Sequence, residues 1–102
     1  MAPAQATEKT AIEAAITEAK TQGNARFKAH DFDAAKRLYT TAIDAACGHT
    51  DDVDATLLAQ VYCNRAAAHL KLYEADAAER DAKSAAQLAQ QQPTGRRGES
   101  WD

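Results

Sequence analysis

With 102 residues the chain has room for one domain, and a formal net charge of −3 argues against whole-molecule attraction to nucleic acid or an anionic membrane. No apolar run reaches the length of a membrane span, and the first residues lack the apolar stretch of a secretory signal. About a quarter of the chain is alanine and only 6% is aromatic, so an all-α fold is predicted, its core built from close helix contacts rather than large side chains. The two cysteines, Cys47 and Cys63, fit a reduced, cytoplasmic protein with buried or inert thiols.

Met1 to Ala6 reads as a disordered leader. From Thr7, the positions Ile12, Ile16, Ala19, Gly23 and Phe27 recur at three- and four-residue steps, one face of a first helix. Ala29-His30-Asp31 reads as a turn whose Asp31 caps a second helix, with Asp33 in the positively polarised first turn. This helix is expected to bury Ala35, Leu38, Tyr39, Ala42, Ile43 and Ala46. The pattern breaks at Cys47-Gly48-His49-Thr50-Asp51-Asp52, where Gly48 suits a C-terminal cap. A third helix is expected from about Asp54 through Leu72, burying Leu58, Val61, Tyr62, Ala66 and Leu70. The fourth, roughly Asp76 to Gln90, relies on Ala78, Ala82, Ala85 and Leu88. Residues 91–102, with Pro93, Gly95 and Gly98, read as a flexible tail or linker.

The two halves resemble each other. Aligning Gly23 with Ala66 sets Phe27 opposite Leu70, Phe32 opposite Ala75, Ala35 opposite Ala78, Tyr39 opposite Ala82 and Ala42 opposite Ala85. Small residues then recur where two antiparallel helices must approach closely. Each half is one helix–turn–helix unit, the first about 7–47 and the second about 54–90. Ala19-Lys20-Thr21-Gln22-Gly23-Asn24-Ala25-Arg26-Phe27-Lys28 and Tyr62-Cys63-Asn64-Arg65-Ala66-Ala67-Ala68-His69-Leu70 together resemble the tetratricopeptide repeat, and the resemblance covers residues 15 to 90. It implies an antiparallel solenoid of two repeats and four helices. Relative to the usual period, about nine residues are inserted between the units, around Ala46 to Ala55. The family's turn glycines are replaced by His30 and Tyr73, which implies strain at both turns.

Lys20 and Asn24 are one turn apart and face the same way. In the tetratricopeptide architecture the first helix of each repeat lines a concave groove, so Lys20, Asn24 and Asn64 should converge there, with Phe27 on the same wall and Lys71 further along. An ammonium and two amides suit a terminal carboxylate beside an acidic side chain. These residues resemble the carboxylate clamp of tetratricopeptide co-chaperones, most closely the myosin-folding and tetratricopeptide-domain-4 types. The resemblance implies a peptide-binding module for the Glu-Glu-Val-Asp C-termini of heat-shock 70 or heat-shock 90 chaperones. In that family a third repeat completes the clamp; with the same insertion repeated it would open here at about Asp102, so the chain reads as a fragment cut just before it or as a truncated natural form.

The alternative is a structural segment of a longer solenoid that docks another protein through a different surface. No nucleophile–base pair, phosphate loop or metal set stands out, so an enzyme, a cofactor and a metal site are not expected. Cys47, His49, Cys63 and His69 lack a paired zinc spacing, and Asp51, Asp52 and Asp54 lack the pattern of a calcium loop. The fourth helix is expected to leave Ala82, Ala85, Leu88 and Val61 partly uncovered, a route to self-association.

Overall fold

In the computed structural model the described residues are 4–48 and 53–90, with side chains described from Thr10 onward. They form four helices: α1 (Ala4–Lys28), α2 (Phe32–Ala46), α3 (Ala55–Lys71) and α4 (Ala75–Gln90), with no strand among the described residues. α1 starts three residues ahead of the expected Thr7, because Ala4-Gln5-Ala6 has high helix propensity despite its polar surroundings. Residues 1–3, and the tail 91–102 expected to be irregular, lie outside the described residues.

The caps follow the sequence. Asp31 accepts a hydrogen bond from the Ala34 backbone N–H at 3.2 Å and Asp54 one from that of Thr56 at 2.9 Å, each satisfying a helix-start donor. Gly48, with φ 86°, follows the end of α2.

The ends of α1 and α3 are built alike. At α1, the Asp31 N–H reaches back to the Arg26 carbonyl at 2.9 Å and the His30 N–H to Phe27 at 3.0 Å. At α3, the Glu74 N–H reaches His69 at 2.8 Å and the Tyr73 N–H reaches Leu70 at 3.0 Å. Both are the six-to-one and five-to-two bonds of a Schellman motif, which requires a left-handed residue at its turn. His30 (φ 67°) and Tyr73 (φ 64°) fill that place without being glycine, as the sequence implied. The two turns fall at the spacing that sets Gly23 opposite Ala66.

Packing follows chain order. α1 lies on α2, α2 on α3 and α3 on α4; α1 also touches α3, whereas among the described helices α4 packs on α3 alone. The core runs along these contacts through Ile16, Tyr39, Leu58 and Val61, all 2% exposed or less, with buried alanines between them. Gly23 makes the closest approach: a Cβ placed there would sit 2.6 Å from Tyr39 Cε1, so only glycine leaves room for the ring.

Other expectations are corrected. Leu70 is 58% exposed rather than buried. Its counterpart Phe27 packs edge-on against Phe32, with ring centroids 5.0 Å apart, but the residue standing where Phe32 would be is Ala75, too short to cover Leu70. Ala82 is exposed because it lacks the reach of its counterpart Tyr39 and no described helix covers that side of α4. Leu38, Ile43 and Tyr62 are only half-buried; of the four residues expected to be partly uncovered, Ala82 and Leu88 are, whereas Val61 and Ala85 are buried, which shrinks the apolar face expected to drive self-association. Cys47 and Cys63 are both free and exposed, not buried.

One buried charge was not anticipated. Asp81 is 4% exposed in α4, and the Arg65 guanidinium of α3 holds both its oxygens at 2.7 Å. That hydrogen bond, outweighing burial, raises the Arg65 pKa, so the guanidinium stays charged. Arg65 also donates to Thr40 of α2 at 3.1 Å. His69 Nε2 lies 3.3 Å from Asp81 and its Nδ1 2.7 Å from Glu74, which in turn accepts from Lys36 of α2 at 3.2 Å. A continuous polar network therefore ties α2, α3 and α4 together.

Candidate peptide-binding site

Three contacts set how α1 and α3 lie together. Glu13 accepts from the Asp54 backbone N–H at 2.9 Å, Lys20 Nζ donates to Gln60 Oε1 at 2.7 Å, and Asn64 Nδ2 donates to Asn24 Oδ1 at 3.1 Å. Later residues of α1 meet later residues of α3 at a nearly constant offset, so the two helices run parallel, side by side. Residues one turn apart on each then line the same furrow.

Within that furrow lies a cleft of about 260 Å³, lined by Asn24, Phe27 and Lys28 of α1, Tyr39 of α2, and Asn64 and Ala67 of α3. Phe27, Tyr39 and Ala67 form an apolar wall. The two asparagines form its polar part. Asn24 Oδ1 accepts from both the Tyr39 hydroxyl and Asn64 Nδ2, which fixes the amide and turns its N–H₂ away from them. Among the described residues, that N–H₂ and Asn64 Oδ1 have no further partner. Burial raises the Tyr39 phenol pKa above its ordinary 10.0, so it remains a hydroxyl donor at neutral pH.

Of the residues singled out from sequence, Asn24, Asn64 and Phe27 come together in this cleft. Lys20 stands one turn before Asn24 and is engaged by Gln60. Lys71 does not line the cleft; its ammonium rests 5.8 Å from the centroid of the Phe32 ring. Lys28, Tyr39, Gln60 and Ala67 were not singled out. Lys28 continues the four-residue steps Lys20–Asn24, and Gln60 lies four residues before Asn64, so helical spacing carried a signal for both. Tyr39 was read as core, and it is core; its hydroxyl alone belongs to the cleft.

The arrangement holds amide donors beside a cation and an apolar wall, which suits an extended anionic ligand with an apolar side chain. Comparison with protein-family models, curated proteins and solved structures finds no match for this chain.

Proposed function

We propose that this chain is a peptide-binding module of tetratricopeptide type, whose α1–α3 furrow takes the acidic C-terminus of a partner protein. The carrying observation is the Asn24–Asn64 amide pair on parallel helices at the cleft, held by Tyr39, with an Asn24 N–H₂ that no described residue engages. The architecture supports the same reading: helices pack in chain order, and two Schellman turns with left-handed His30 and Tyr73 repeat at the spacing of the sequence alignment. A terminal carboxylate accepts from Asn24 and displaces Gln60 as the acceptor for Lys20, since a charged acceptor holds an ammonium better than a neutral amide. The Glu-Glu-Val-Asp terminus shared by heat-shock 70 and heat-shock 90 chaperones has the required chemistry: a terminal carboxylate, further acidic groups and a valine for the apolar wall.

The test is calorimetric titration with Met-Glu-Glu-Val-Asp. A hydrogen bond to a charged group is worth about 1.5–3 kcal/mol, so Asn24→Ala is expected to weaken binding at least about tenfold. Lys20→Ala, being more exposed, should cost less. Unchanged affinity in both variants would refute the reading.

A further inference from the structure

Among the described residues, Lys28 is the only charged one lining the cleft, and no hydrogen bond or ion pair engages it. Several other cations of the fold are engaged: Lys20 by Gln60, Lys36 by Glu74, Arg65 by Asp81, and Lys71 by the face of Phe32. Lys28 is therefore the cation that stands over the cleft with its charge unspent. Lys20, Asn24 and Lys28 follow one another at four-residue steps along α1. At 1.5 Å per residue, Lys20 and Lys28 are about 12 Å apart along the helix axis. An extended peptide advances about 3.3–3.6 Å per residue, so that distance equals three to four ligand residues. Between the two lysines the wall is apolar, made by Phe27, Tyr39 and Ala67.

We propose that Lys28 is a specificity-determining residue: it reads an acidic side chain about three residues before the partner's C-terminal carboxylate, while Lys20, Asn24 and Asn64 hold that carboxylate. The inference rests on the peptide-binding reading above and adds a demand on the ligand's sequence. A ligand with one terminal carboxylate and no upstream acid would leave Lys28 unmatched and bind less well. Because the lysine is exposed, the pair is screened, and the preference falls as salt rises.

The experiment titrates the full chain and its Lys28→Ala variant with four peptides. These are Met-Glu-Glu-Val-Asp, its C-terminal amide, Met-Gln-Glu-Val-Asp and Met-Glu-Gln-Val-Asp. Lys28 is exposed and makes no described contact, and circular dichroism checks that the variant keeps its helices. For the unaltered chain, glutamine at the first glutamate is expected to weaken binding about two- to fivefold, the scale of an exposed ion pair. Glutamine at the second glutamate should cost less. In Lys28→Ala the penalty at the first glutamate should vanish while the loss on amidation remains. If Lys28→Ala binds all four peptides as the unaltered chain does, or keeps the full penalty at the first glutamate, the role of Lys28 is overturned with the groove intact. If the unaltered chain fails to bind, or binds acid and amide alike, the groove and this inference fall together.

Discussion

Gly23 and Tyr39 form a matched pair, and their fit reaches the cleft. A methyl at residue 23 would lie 2.6 Å from Cε1 and 2.8 Å from Cδ1 of a ring that is 1% exposed and tethered through its hydroxyl to Asn24. The ring has nowhere to retreat, so Gly23→Ala should destabilise the chain by about 1–3 kcal/mol in urea unfolding. Tyr39→Phe keeps the ring and removes only the tether. It should cost about 1 kcal/mol of stability and release the Asn24 amide to rotate, lowering peptide affinity while the helices persist. The turn residues behave oppositely. Tyr73 is 94% exposed at φ 64°, so Tyr73→Gly relieves left-handed strain at no loss of packing and should stabilise by on the order of 1 kcal/mol. His30→Gly should gain less, because the His30 ring stacks on Phe32 with centroids 5.6 Å apart.

At the scale of elements, the network between α2, α3 and α4 decides how the second helix pair is held. Arg65→Ala would strand the buried Asp81 carboxylate and should cost about 3–5 kcal/mol. Replacing both partners, Arg65→Met with Asp81→Leu, should recover most of that loss. Glu74 adds a pH dependence. Its hydrogen bonds to His69 and then to Lys36 hold its pKa below the ordinary 4.5. With the folded value depressed, this stabilisation is present above the ordinary carboxylate range and is lost as pH falls through the folded value. Glu74→Gln should therefore be the less stable protein at neutral pH, and the gap should close in acid, as thermal melts across that range would report. Periodicity and turn signals made the helices legible in sequence: Asp31 caps where expected, Asp54, read as the start of the third helix, is its cap, and α2, α3 and α4 end within a residue or so of the expected bounds. Burial was less legible. Spacing assigns a residue to a helix face but not a neighbour to that face, so Leu70 read as core although no described residue covers it. Asp81 carried no sequence signal for burial, since a charged residue on a helix is usually solvated; its pairing with Arg65 across two helices makes burial tolerable.

At the scale of the molecule, chain-order packing leaves α1 and α3 parallel, and that one relation creates the furrow. Lys20, Asn24 and Asn64 stood out in sequence because their places in the two similar halves resemble the clamp positions of the proposed repeat. Lys28 and the Tyr39 hydroxyl were not, since their role depends on which groups are already engaged, and sequence does not record that. The central claim is that the furrow, rather than another surface, receives a carboxylate. Side-chain amide resonances in ¹H–¹⁵N NMR report on it directly, because Asn24 and Asn64 line the cleft. Adding Met-Glu-Glu-Val-Asp should shift the Asn24 and Asn64 side-chain N–H₂ signals and the backbone of α1 and α3 around them, and the amidated peptide should shift them far less. Shifts confined to α4, or equal shifts with acid and amide, would contradict the account.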